Sequence, residues 1–260
     1  MVGVARGGSE AAVRAGAAEA HRAGRPLDLV HVAPVDERWL AQLGRDSLRV
    51  ATEWAHNLGG EALEVRPRMH RGDLLSALVE AAAPAALLVA ERGRAADRRR
   101  DQVSTTTTLA DTCDVPVLVV PAEWLGERRR VVTVGVDPAS ADDRPLLVAI
   151  TRARLAGAVL RVVVAVGERD AASARAEVSR RLQALGGGGC DVALELETAP
   201  SDDALLRAAD GSDLLVLGRG APAPTGAGRL RPHQRRVLRE STCPVLLTAP
   251  FVPAAATGTS

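Results

Sequence analysis

Short apolar runs alternate along the chain with longer stretches in which Ala, Leu and Val recur every three or four positions. The runs suit buried strands, and the periodic stretches suit helices with one face on a core. In the first half this pattern predicts strands over residues 2–4, 27–33, 62–69, 85–90 and 115–120. Between them it predicts helices over 10–23, 36–58, 74–83 and 103–112. The punctuation agrees. Gly7-Gly8-Ser9 turns the chain and offers Ser9 as the cap of the first helix. Gly24 stops that helix, Gly59-Gly60 closes the second, Gly72-Asp73 opens the third and Pro84 ends it.

The second half repeats the order. Strands are predicted over 131–137, 160–166, 191–198, 213–217 and 245–248. Helices are predicted over 140–156 and 171–185, from a cap at Ser201 or Asp202 to 209, and just before Thr242. One phrase recurs almost whole. An apolar run, an Arg-Gly pair, a basic loop, a short helix, Thr-Cys and then Pro-Val-Leu fill 85–120 and again 212–248. Thr112-Cys113 and Thr242-Cys243 stand 130 residues apart, so the chain reads as one unit written twice. Each unit is βαβαβαβαβ with strands of continuous Val and Leu, the mark of strands covered on both faces. The expected fold class is α/β: two tandem, Rossmann-like, doubly wound parallel-sheet domains of five strands each. The domains are placed at 1–124 and 131–250, with a linker at 125–130 and a flexible tail at 251–260. The joining stretch PAEWLGERRR, 121–130, is expected to be exposed except for Trp124. Any ligand should sit at the carboxyl ends of strands one and four of a unit, the switch point.

Composition narrows the function classes. Every basic side chain apart from histidine is arginine, and aromatic residues make up only 2%. Arginines and acids nearly cancel, at a net charge of +1, and neither half has the basic excess of a nucleic-acid-binding domain. Cys113, Cys190 and Cys243 have no paired spacing, so neither a disulfide framework nor a zinc site is expected. No targeting segment and no apolar run near the ~20 residues of a membrane span is expected. A soluble, cytoplasmic protein with no membrane or nucleic-acid partner follows.

The chain resembles the universal stress protein family in its tandem two-domain form. The resemblance rests on V-G-V at each unit's start, Leu27–Val32 (LDLVHV), Arg71-Gly72-Asp73 before the third helix, and the strand, Arg-Gly, helix, Pro-Val-Leu ending. It implies an adenine nucleotide α-hydrolase-like fold and, in many members, ATP held by G-x2-G-x9-G-(S/T) after strand four. Glycines there admit backbone N–H groups to phosphate, and a helix N-terminus adds a favourable dipole. In half one those positions are Ala90, Gly93, Val103 and Ser104, with Thr105 following. Gly93 and Ser104 match; Ala90 and Val103 depart from the pattern. The family's aspartate after strand one is Ala5, and its adenine-side valine is Val32. In half two Asp137 and Gly218 match, while Ala221, Arg231 and Pro232 replace the rest. Pro232 has no N–H to give a phosphate. The resemblance also implies that the fifth strands, 117–120 and 245–248, pair antiparallel within the chain. Left unpaired, both would be apolar edges.

Several residues carry two readings. Ser104 to Thr108 is either a phosphate contact or a hydroxyl cap. Arg92, Arg94, Arg98–Arg100 and the 229–236 cluster are either anion grips or solvated loops. His31 reads as a satisfied strand-end histidine, and His233 lies beside the degenerate motif without a nameable partner. Cys113 and Cys243 read as small core residues rather than redox sensors. Trp39, Trp54 and Trp124 read as packing residues. No nucleophile elbow, Walker A loop or metal-ligand cluster is present in the sequence. The expected role is therefore a non-enzymatic stress-response or signalling protein, with weak adenine nucleotide binding in half one. The alternatives are a scaffold acting only through protein partners and, last, a nucleotide hydrolase.

Overall fold

In the computed structural model the described residues are 1–35, 38–60, 62–93, 104–126, 129–166, 170–197, 201–220 and 230–250. The first half runs β1 (Val2–Gly3), α1 (Glu10–Ala23), β2 (Leu27–Ala33), α2 (Arg38–Gly59), β3 (Val65–Arg71), α3 (Leu74–Ala82), β4 (Leu88–Arg92), α4 (Thr105–Thr112) and β5 (Val117–Pro121). The second runs β6 (Val131–Val136), α5 (Arg144–Ala156), β7 (Val159–Ala165), α6 (Ala171–Ala184), β8 (Val192–Glu197), α7 (Ser201–Ala209), β9 (Leu214–Arg219), α8 (Pro232–Glu240) and β10 (Val245–Pro250). A 3-10 turn, Gly187–Gly189, lies between α6 and β8.

The sequence signals work locally as expected in most places. Gly24 and Gly157 end α1 and α5 in the left-handed region, at φ 58° and 57°. Asp73 caps α3 by accepting from the Ser76 N–H, and Asp170 caps α6 by accepting from Ala172 and Ser173. Four departures have physical causes. Ser9 does not cap α1, because it is itself left-handed at φ 55° and its hydroxyl accepts from the Ala5 N–H instead. β4 starts at Leu88, since the Ala85 N–H still bonds back to Ala82 and keeps the chain in a turn. α5 starts at Arg144 because Asp137 holds residues 139 and 140 in a turn before it. Trp39 is 61% exposed, against the expectation of packing; the buried face of α2 carries Leu40, Leu48, Ala51 and Ala55. Trp54 and Trp124 do pack partly buried against the core.

All ten strands join in one sheet, in the order β3-β2-β1-β4-β5-β10-β9-β6-β7-β8. Within each half every pairing is parallel. The halves meet where β5 and β10 pair antiparallel, with Val117 opposite Leu247 and Val119 opposite Val245. This seam gives the fold an approximate twofold relation and buries the apolar faces of both strands. The true edges are β3 and β8. They are guarded by Arg66, Pro67 and Arg68 on one side and Glu195 and Glu197 on the other.

Two arginines lock the seam from opposite sides. Arg92, at the end of β4, is 5% exposed, and its guanidinium donates to the carbonyls of Leu238 (2.8 Å) and Ser241 (2.6 Å) at the end of α8. Arg219, at the end of β9, is 1% exposed and donates to Ala110 (2.8 Å), Cys113 (2.7 Å) and Val115 (2.5 Å) at the end of α4. It also donates to the Thr248 carbonyl at 2.6 Å. The last carbonyls of a helix lack intrahelical partners and carry its negative dipole end. A planar fork of five donors from the other half satisfies them. Thus the Arg-Gly pairs repeated in the sequence are cross-half helix caps. Arg92 is not a solvated loop residue.

Further contacts cross the halves. Asp111 of α4 accepts from the Leu230 N–H at 2.8 Å and pairs with Arg235. Glu19 of α1 pairs with Arg152 of α5 at 2.5 Å. Arg235 of the 229–236 cluster is therefore an interface residue. The linker is mixed: Pro121 is buried in β5, Leu125 is exposed, and Asp213 accepts from the Arg129 and Arg130 N–H groups.

Arg219→Ala should lower the unfolding free energy by about 3 kcal/mol or more, because several buried carbonyls lose a charged donor. Arg219→Lys should recover only part of this, since one ammonium cannot span the same fan of acceptors. Urea unfolding followed by circular dichroism checks it, with Arg49→Ala of the exposed Arg49–Glu53 pair as the near-neutral control.

Candidate functional site

Half one offers the carboxyl edge of β1, β2 and β4. Gly3 pairs with Val30 and with Ala90, so Val32 and Arg92 reach about the level of Ala5 at that edge. Val32 and Ala90 are 9% and 4% exposed and share one core cluster with Leu109 and Ala110 of α4. The structure thus brings Val32, Ala90 and α4 together, but Ala90 stands inside the sheet as a packing residue. Gly93 leaves β4 with open space where a Cβ would lie, and its φ is not in the left-handed region. Val103 lies outside the described residues, as do the loop positions 94–102. Ser104 stands immediately before α4. Its hydroxyl makes no cap to the backbone and bonds instead to the Thr106 hydroxyl at 2.7 Å. Thr105 is exposed at the helix start.

Glu91 is a residue of this region that sequence reasoning missed. Its carboxylate accepts from the N–H groups of Ala11 (3.0 Å) and Ala12 (3.3 Å). It thereby caps α1, the task Ser9 leaves undone, and favourably meets the positive end of that helix. An acid placed inside the Ala90–Gly93 motif was the available signal. His31 behaves as expected: it is buried, and its Nδ1 lies 2.8 Å from the Val4 carbonyl oxygen. Gly44 makes room for that ring, since a Cβ there would lie 2.4 Å from it.

Half two is closed by its own side chains. Asp137 accepts from the Ala139 N–H at 2.9 Å, and its other oxygen faces Arg231 at 3.7 Å. Gly218 is needed for close approach, because a Cβ would stand 2.9 Å from Pro145. The Gly218 carbonyl accepts from Gln234 at 2.6 Å. Arg181, 6% exposed, props the loop before α5 by donating to Asp143 (2.5 Å) and to the Asp142 and Asp137 carbonyls. α8 starts at Pro232, preceded by Arg231, so no serine or threonine opens it. Ala221 lies outside the described residues. His233, in the first turn, is pushed below the ordinary histidine value by burial and by the Arg231 charge; Asp202 and Asp137 pull the other way. Arg236 of the same cluster bridges Asp202, Asp203 and Glu240.

Cys113 and Cys243 are buried, and desolvation pushes the Cys243 thiol up to about 11. Among the described residues no three His, Cys, Asp or Glu side chains gather to hold a metal ion. No described helix is long and apolar enough to cross a membrane.

Compared with solved structures, the whole chain matches a universal stress protein from Archaeoglobus fulgidus, with a TM-score of 0.75 at 14% identity over 95% of this chain and 97% of that one. The fold is that of the universal stress proteins. A functionally unknown protein from Pseudomonas aeruginosa matches with a TM-score of 0.63 at 18% identity over 89% of this chain and 85% of that one. A candidate universal stress protein from Pseudomonas aeruginosa matches with a TM-score of 0.62 at 17% identity, over 89% and 86%. No family model matches the sequence, and no curated protein does. At these identities the universal stress protein likeness speaks for architecture, and the ligand must be argued from side chains.

Two measurements check the half-two geometry and the core thiols. The His233 midpoint, followed by proton NMR, should lie below the ordinary 6.5 and rise when Arg231 is replaced by Ala. The pH dependence follows from the direction. The folded state resists protonation, so His233 contributes stability that is full above 6.5 and falls as the pH drops below it. At about pH 8 a thiol reagent should modify only Cys190 in the native protein and all three cysteines after unfolding.

Proposed function

We propose that the chain is a tandem universal stress protein that acts without catalysis as a stress or signalling protein, and that half one binds an adenine nucleotide weakly. The observation that supports half one is the asymmetry at the two final helices. α4 opens on Ser104 and Thr105, whose hydroxyls do not cap the backbone, while α8 opens on Arg231 and Pro232, with Arg231 turned to Asp137. A helix start that presents hydroxyls and N–H groups suits phosphate. Gly93 leaves space beside it, and Val32 stands at the same edge for the base. Ala5 in place of an aspartate removes one acceptor. That loss costs about 0.5–1.5 kcal/mol, or roughly tenfold in affinity. In half two the matching aspartate and glycine, Asp137 and Gly218, are already engaged by the chain itself.

A second reading has its own support. Glu91 fills the N-terminus of α1 with a carboxylate, and Val35, Trp39 and Leu43 are exposed apolar side chains. Both features suit a scaffold that meets protein partners and needs no nucleotide.

Isothermal titration with ATP, ADP, AMP and cyclic AMP separates the readings. Ser104→Ala should weaken ATP about tenfold. Gly93→Val should weaken it without unfolding the protein, since the space there is open. Asp137→Ala should leave it unchanged. Binding lost in Asp137→Ala but kept in the other two would move the site to half two. No heat with any nucleotide at millimolar concentration would favour the scaffold.

A further inference from the structure

One large cavity lies away from both switch points. It holds about 850 Å³ and runs along the amino ends of the half-one strands, from Leu27 and Leu87 across to Leu246 at the seam. Because β5 and β10 are antiparallel, these amino ends adjoin the carboxyl end of β10 and the first turns of α5. Both halves therefore build it: α1, β2 and β3 from one, α5 and β10 from the other.

Its chemistry is specific. The lining is mostly aliphatic, with Ala20 and Ala23 of α1 facing Leu147 and Val148 of α5. Leu147 is 47% exposed, an apolar side chain left at the mouth. Five arginines lie on the rim: Arg25, Arg66, Arg68, Arg144 and Arg152. Four of them have an acid partner: Arg66 pairs with Glu64 and Arg144 with Asp142, each at 2.7 Å. Asp28 is held by Arg68 at 3.1 Å, and Glu19 by Arg152 at 2.5 Å. Arg25 is exposed at the mouth and makes no side-chain hydrogen bond or ion pair among the described residues. The unmatched charge of Arg25 beside low-dielectric walls attracts anions. No phenylalanine, tyrosine or tryptophan lines the cavity, so a planar base would find no aromatic ring to stack on. An aliphatic chain would find matching walls.

We infer that this cleft binds a single-chain amphiphile with an anionic head, a carboxylate or a phosphate monoester. The chain lies on the Ala20–Val148 walls and the head meets Arg25 and Arg66. The ligand spans the seam and so favours the closed arrangement of the two halves. This site is distinct from the proposed nucleotide site and does not rest on it.

Titration calorimetry below the micellar concentration tests the assignment, with dodecanoate, dodecyl phosphate, dodecanol and ATP as probes. Wild type should bind one dodecanoate or one dodecyl phosphate about tenfold more tightly than dodecanol. The double variant Arg25→Glu, Arg66→Glu should lose that preference while leaving dodecanol unchanged; both positions are exposed, so the fold is spared. Ala23→Trp, at an exposed position on the mouth, should weaken all three alkyl probes. Circular dichroism verifies that each variant is folded. A preference for carboxylate over phosphate, or the reverse, identifies the head group. Equal affinity for dodecanol and dodecanoate, an unchanged double variant, an unchanged Ala23→Trp variant, displacement by ATP, or no binding of either anion would each overturn the inference.

Discussion

The structure depends on how the two halves close each other's helices. An antiparallel β5–β10 seam alone would leave the ends of α4 and α8 with unmet carbonyls next to a buried interface. Arg92 and Arg219 supply the donors from the opposite half. Each guanidinium is nearly fully buried, and such burial is tolerable only when its donors are met. The consequence is mutual dependence. Neither half can keep its last helix properly ended without the other, which ties folding of the tandem to formation of the seam.

The same closure separates the two switch points. In half two, Arg181 props the loop before α5, Pro145 presses on Gly218, and Arg231 faces Asp137. Those contacts use the acceptors and the space a ligand would need. In half one the loop before α1 carries Ala5, Gly7 and Gly8 beside Arg6, and Glu91 spends its charge on α1 rather than on the edge of β4. A duplicated unit has thus been filled in two different ways. The difference lies in which groups each half uses to satisfy its own backbone.

Edges and faces follow the charge pattern. The arginines of β3 and the glutamates of β8 keep the ends of a ten-stranded sheet from pairing with another chain. The β3 arginines also border the large cleft, where Arg66 pairs with Glu64 and Arg68 with Asp28. A residue placed for solubility on one side can therefore create a binding potential on the other.

Family resemblance supplied the expected pairing of β5 and β10; the sequence by itself determined the repeat, the order of the elements and the parallel character of each half. These are local properties: periodicity, glycine and proline punctuation, and strands apolar on both faces. It also marked Val32, Gly93 and Ser104 through a motif whose spacing survives. Only the tertiary structure decided where the polar groups go. Nothing near Arg92 in sequence names Leu238 or Ser241 as its acceptors, and nothing near Glu91 names Ala11. Ser9 has the composition of a cap, yet a left-handed backbone turns its hydroxyl to Ala5. Trp39 has the composition of a core residue, yet α2 faces the sheet with Leu40 and Leu48. Burial along one element is written in that element's own period. The partner of a charged or hydroxyl side chain is set by three-dimensional proximity between segments more than a hundred residues apart.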